Sequence, residues 1–113
     1  MIDAIQVITT TSSKEEAEKI ARTLVERRLA ACVQVAGPIT STYHWKGRLE
    51  NAQEFLCIIK TREPHYLALE EAIRELHSYE VPEILAFQVS AGNHAYLDWL
   101  REQLADLSGP DVV

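Results

Sequence analysis

The chain has 113 residues, 47% of them hydrophobic and 25% charged, with a net charge of −6 and a pI near 5.1. A length of this order bounds it to one soluble globular domain with a modest core. The acidic balance argues against a phosphate backbone as the main partner, because domains that bind one carry a basic face.

Ile2–Thr10 is β-rich and reads as a first strand. Asp3 and Gln6 interrupt any secretory pattern there, and no apolar run approaches bilayer-spanning length. Ser13 with Glu16 makes a capping box for a first helix that runs to about Arg28. Ala17, Ile20, Ala21, Leu24 and Val25 form its apolar face. Cys32–Ala36 is a second strand, interrupted by a bulge or bend at Gly37-Pro38 and continued by Ile39–Trp45. Lys46-Gly47-Arg48 is a hairpin turn with Gly47 at positive φ. The return strand starts at Leu49 and centres on Phe55–Ile59. Pro64 suits the first turn of a second helix, with Tyr66, Leu69, Ile73 and Leu76 along one side. Ile84–Val89 is a fourth strand, and Asn93 caps a short third helix over Tyr96–Leu104. The domain is therefore 1–106, and 107–113, containing Ser108-Gly109-Pro110, is expected to be a frayed tail.

The order β-α-β-β-α-β followed by a short C-terminal helix is α+β, with the ferredoxin-like split βαβ arrangement. Right-handed crossovers put both main helices on one face of an antiparallel sheet. If the other face met only solvent, the strands would alternate apolar and polar residues. They do not: Phe55, Cys57 and Ile59 point one way, and Leu56 and Ile58 the other. In the fourth strand Ile84 and Ala86 oppose Leu85, Phe87 and Val89. The hairpin from about Ile39 to Arg62 is also overlong, so one end must project with Tyr43 and Trp45 near its tip. An obligate homo-oligomer accounts for both features. Cys32 and Cys57, in apolar strands without CxxC spacing, read as reduced thiols of a cytoplasmic protein.

His77-Ser78-Tyr79-Glu80-Val81-Pro82-Glu83 joins the second helix to the fourth strand. A connection of this length needs only turn formers such as Gly, Asn or Ser. This one instead gathers an imidazole, a phenol and two carboxylates. Pro82 restricts its own φ and pushes Val81 toward extended backbone. The segment reads as a rigid display of polar groups.

Ala30-Ala31-Cys32-Val33, Thr42-Tyr43-His44-Trp45-Lys46-Gly47, Ile59-Lys60-Thr61, the display segment and Tyr96-Leu97-Asp98-Trp99 occur in this order across nearly the whole chain. Together they resemble the divalent-cation tolerance protein family (CutA). The resemblance implies a compact, stable homotrimer of ferredoxin-like subunits and a link to copper and other divalent cations. The chain departs from the family at Ser78, where proline is common. Where some relatives have a cysteine and two adjacent histidines to which copper binding is attributed, this chain has Thr9, Leu76 and His77. Only one of those ligands is retained.

Each candidate residue has a plainer reading beside the functional one. His77 is the metal candidate, but a histidine ending a helix equally well bonds the last carbonyls, and no HxxxH partner accompanies it. Lys60 either reaches solvent, or neutralises Glu80 or Glu83, or captures an anion. Tyr43 and Trp45 share a strand face suited to packing between copies or to walling an intersubunit pocket. Glu80 and Glu83 read as acceptors for backbone N–H groups or Lys60 rather than as an acid–base pair. His44, His65 and His94 read as surface residues, and Glu15, Glu16, Glu70 and Glu71 as helix-surface charges without functional weight.

These readings converge on a non-enzymatic homotrimeric binding or regulatory protein linked to copper and other divalent metal ions. Its ligand pocket lies between subunits and combines Tyr43, Trp45, Lys60, His77, Tyr79, Glu80 and Glu83. No catalytic residue and no obligatory cofactor is expected. The ligand is Cu²⁺, another divalent cation or a small anion, with no nucleic acid or membrane as partner. The alternative is a stable trimeric scaffold, or a small-molecule signalling module, whose partner is another protein and which binds no metal physiologically. A small acylphosphatase-like hydrolase would need a glycine-bearing phosphate loop and an arginine after the first strand, and Thr9–Ser13 has neither. Sheet-mediated RNA binding would need the exposed aromatic and basic residues of RNP motifs, which are missing.

Overall fold

Alternation decides the first strand. In the computed structural model, which describes residues 2–107, Ala4–Thr11 form β1 and turn Ile5 and Val7 into the core. Ser13 then caps α1, Lys14–Glu26, with an extended backbone and an Oγ that accepts the Glu16 N–H at 3.1 Å. Only this half of the expected capping box forms, because the Glu16 carboxylate reaches across to Ser78 instead. Ala17, Ile20 and Leu24 are buried, whereas Val25, expected on the same face, is 41% exposed. One residue beyond Leu24 the helix has turned about 100°, which carries Val25 off the apolar stripe.

β2 (Cys32–Trp45) and β3 (Arg48–Arg62) form a long antiparallel ribbon closed by Lys46-Gly47. Both turn residues have positive φ, 51° and 78°, which matches a two-residue turn to the twist of its strands. The register shifts between Ala36 and Ile39. There Gly37, at φ 151°, lies so close to β3 that a Cβ would meet Phe55 Cδ2 at 2.7 Å. Only glycine tolerates both the dihedral and the approach. A 3₁₀ turn, Glu63–His65, leads into α2, Tyr66–Leu76. β4 is Ile84–Gln88. α3, His94–Gln103, is capped by Asn93, whose Oδ1 accepts the Ala95 N–H at 2.9 Å.

The sheet order is β2-β3-β1-β4, with every neighbouring pair antiparallel. α1 and α2 pack on one face, placing Ile20, Leu24, Leu69 and Ile73 against Ile5, Val7, Cys57 and Ile59. Each large aliphatic side chain buried here contributes about 1.5–3 kcal/mol. Burial, with Glu16 adding, pushes the Cys57 thiol up to about 11. Both cysteines are unpaired.

The second sheet face carries apolar residues too, interspersed with Gln6, Thr10 and Lys60. Ile8 pairs laterally with Ile58 and Leu85, Thr10 with Leu56, and Gln6 with Phe87. α3 covers one end of this face, packing Leu100 and Leu104 with Ala4 and Ala31. Leu85 and Phe87 remain 50% exposed. Beyond the Thr11–Phe55 pair the ribbon has no third strand among the described residues. It projects with Tyr43 and Trp45 exposed, and the molecule measures 52 × 31 × 24 Å. The projecting ribbon expected from the sequence is present, and so are apolar residues on both sheet faces, although Gln6, Thr10 and Lys60 break up the second. Among the described residues no helix is long and apolar enough to cross a membrane. Apart from Leu107, the expected frayed tail lies outside the described residues.

Candidate functional site

Three consecutive residues staple the display segment to three different elements. His77 ends α2 in extended backbone, with φ −83° and ψ 139°. Its Nε2 lies 2.7 Å from the Thr10 carbonyl of β1, and its Nδ1 accepts the Tyr79 N–H at 3.1 Å. With Nδ1 accepting, Nε2–H is the group that donates to Thr10. Ser78 is held by α1: its N–H donates to Glu16 Oε2 at 2.6 Å and its hydroxyl to Oε1 at 3.1 Å. Tyr79 is held by the ribbon, its phenol donating to Glu54 Oε2 at 2.7 Å. Ser41 of β2 donates to the other oxygen of Glu54, also at 2.7 Å.

Glu54 is only 8% exposed, and among the described residues it forms no ion pair. Two short hydroxyl bonds offset the desolvation of its carboxylate. Burial pushes the Tyr79 phenol well above the usual tyrosine range. The bond to Glu54 pushes it further, as do the negative charges of Glu54 and Glu16. The His77 and Tyr79 rings stack at a tilt, with centroids 4.7 Å apart. The polar side chains of residues 77–79 are therefore all bonded, and together they fix the backbone that follows.

That backbone presents Glu80, Val81 and Glu83 to solvent. Among the described residues neither Glu80 nor Glu83 makes a hydrogen bond or an ion pair with a side chain. The expectation that they accept from backbone N–H groups or from Lys60 is not met within the chain. Lys60 sits opposite Gln6 and Cys32, on the second sheet face. Leu56, opposite the Thr10 that anchors His77, is four residues away, about 13 Å along the strand. Tyr43 is brought toward Tyr79, whereas Trp45 lies two residues nearer the ribbon tip, with Lys46 Nζ 6.0 Å from its ring. A single chain thus unites His77, Tyr79 and Tyr43 and leaves Lys60 apart.

His44 and His94 are exposed as expected, but His65 is not a surface residue: it is 1% exposed. The 3₁₀ turn tucks its ring under the segment after α3, where Nε2 meets the Ala105 carbonyl at 2.8 Å. Nearby, Asp3 accepts three bonds from Arg62, Nε to Oδ1 at 3.0 Å and to Oδ2 at 3.1 Å, and Nη2 to Oδ2 at 2.6 Å. The Arg62 guanidinium holds the Asp3 carboxyl below its usual range.

For a resident metal the fit within one chain is poor. No group of three or more His, Cys, Asp or Glu able to hold a metal ion occurs among the described residues. Both nitrogens of His77 already have backbone partners. Sequence reasoning missed Glu54, Ser41 and Glu16. Their only signals were a lone carboxylate before an apolar run and a capping glutamate.

A family profile described as "CutA1 divalent ion tolerance protein" matches residues 5–103. The divalent-cation tolerance protein CutA of Thermus thermophilus is 47% identical over 96 residues, covering 85% of this chain and 93% of that protein. Human protein CutA is 43% identical over 99 residues, covering 88% of this chain and 55% of the human protein, so the chain spans about half of that relative. Among solved structures, the Thermus thermophilus protein superimposes with a TM-score of 0.88 at 44% identity, covering 90% of this chain and 99% of that one. The CutA of Xylella fastidiosa gives a TM-score of 0.89 at 39% identity, covering 91% and 99%.

Proposed function

The chain belongs to the CutA1 divalent ion tolerance family, and from that premise we propose that it acts as a non-enzymatic homotrimeric binding or regulatory protein linked to copper and other divalent metal ions. The observation that carries the assembly is the half exposure of Leu85 and Phe87 on a sheet face that α3 only partly covers. Docking copies there removes apolar surface from water at about 25 cal/mol per Å². It also gives the projecting Tyr43 and Trp45 a neighbour to pack on. A pocket at such a junction would combine His77, Tyr79, Glu80, Glu83 and Tyr43 of one copy with Lys60, which the single chain holds apart. The names of the relatives support a divalent cation as ligand, bound through carboxylates at the junction or through a small anion held by Lys60. The unpaired thiols support a reducing, cytoplasmic setting.

Calorimetric titration of the assembled protein with Cu²⁺ tests this reading. A saturable site weakened by Glu80→Gln with Glu83→Gln is expected, and the absence of any saturable site overturns the metal link. The second reading, a trimeric scaffold for another protein, is favoured by Leu67 and Val81. These are 76% and 81% exposed.

A further inference from the structure

The helical side of the molecule carries a groove that shares only Glu80 with the metal reading. It lies between α2 and the display segment, has a volume of about 610 Å³, and is walled by Leu67 on one side and Pro82 on the other. Glu70, Glu71, Glu75 and Glu80 line it, against Arg74 as the one basic residue. Of these carboxylates only Glu75 has a basic partner among the described residues, and that contact with Arg27 is 4.0 Å long and exposed. Leu67 and Val81, at 76% and 81%, have the highest exposures among the exposed large hydrophobic residues. Isolated exposed hydrophobic residues are ordinary, but Leu67 lines an acidic groove and Val81 adjoins its Pro82 in the chain, a combination suited to a partner.

We propose that this groove docks a basic segment of another protein, with an apolar side chain of that segment seated between Leu67 and Pro82 and its Lys or Arg residues meeting Glu71, Glu75 and Glu80. Charge complementarity selects this occupant: four carboxylates against one guanidinium line the groove, so a basic segment meets the opposite sign there. One wall is preorganised, because residues 77–79 are tied to β1, α1 and the ribbon before the chain reaches Glu80. Little ordering entropy is then lost on binding. The groove also stays open in an oligomer built on the second sheet face, since α2 buries Leu69, Ala72 and Ile73 against the opposite face. The proposal goes beyond the cation reading and does not require it.

The test is an array of immobilised random twelve-residue peptides probed with the whole labelled protein. The best-bound sequences are then measured in solution by fluorescence anisotropy. Bound peptides should combine Lys or Arg with a large apolar residue. Glu71→Lys and Leu67→Ser should each weaken binding about tenfold, while Glu18→Lys, on the exposed side of α1, should change it less than about twofold. These are surface substitutions, and sedimentation of each variant reports separately on the assembly. Absence of any bound peptide overturns the proposal. So does equal loss in Glu18→Lys and Glu71→Lys, which marks general charge attraction, and so does indifference to Leu67→Ser.

Discussion

The phenol of Tyr79 and the carboxylate of Glu54 meet at 2.7 Å, joining the segment after α2 to the base of the projecting ribbon. Ser41 holds the other carboxylate oxygen at the same distance, so the latch spans three separate elements. Tyr79→Phe removes the donor and leaves a buried oxygen unmatched, which costs about 1–3 kcal/mol. Glu54→Gln, combined with it in a double-mutant cycle, should show coupling of about 0.5–3 kcal/mol. Urea denaturation at one fixed protein concentration measures both.

The same latch makes an alkaline prediction. An unfolded tyrosine loses its proton near pH 10, whereas folded Tyr79 keeps its proton to higher pH because of burial and Glu54. Between those two points the unfolded chain binds fewer protons, so stability falls as pH rises. Below about pH 10 the contribution is fully present. Tyr79→Phe should flatten this alkaline loss, and in a tyrosinate absorbance titration it should remove the last of the four tyrosines to ionise.

At the opposite end of the pH scale, Asp3 governs. Its carboxyl is held low first by the Arg62 hydrogen bonds, so its contribution is present above the ordinary aspartate value of about 4 and lost as pH falls through the folded value. The pair is partly exposed, which limits the size of the effect. Asp3→Asn should lower stability at neutral pH and flatten the acid limb of the stability profile, as followed by circular dichroism. An unchanged acid limb contradicts the assignment.

The Ser78 amide points at Glu16 Oε2 from 2.6 Å, so its exchange with solvent deuterium should be slow for a loop. Glu16→Ala removes both bonds to Ser78 while keeping the backbone half of the α1 cap. Ser78 exchange should quicken by about tenfold or more, with little change at Leu24 in the core. Hydrogen exchange read by NMR separates local loosening from global destabilisation.

The order of elements was legible because periodicity and punctuation agree. Ser13 and Asn93 cap helices where their side chains predict, Gly47 turns the hairpin, and the apolar centre of β3 shows on both faces. The site was legible only in part. His77 and Tyr79 stood out as polar groups in a short connection, but their partners Thr10, Glu54 and Glu16 come from distant positions that no local spacing reveals. The face that Lys60 takes was not legible, because a strand-end charge carries no record of its face until the register is fixed. His65 was misjudged because its burial depends on the segment near Ala105 folding back over a 3₁₀ turn. Glu70 and Glu71 look like solvated helix charges until Pro82 and Glu80 are seen to close a groove beside them.

The central claim is that a sheet apolar on both faces, with an unsupported ribbon, is completed by other copies of the same chain. Sedimentation equilibrium across a dilution series, with circular dichroism on the same samples, tests it most directly. The account predicts one species of three times 12.8 kDa that loses its secondary structure whenever it dissociates. A folded, stable monomer of 12.8 kDa at low concentration would contradict it.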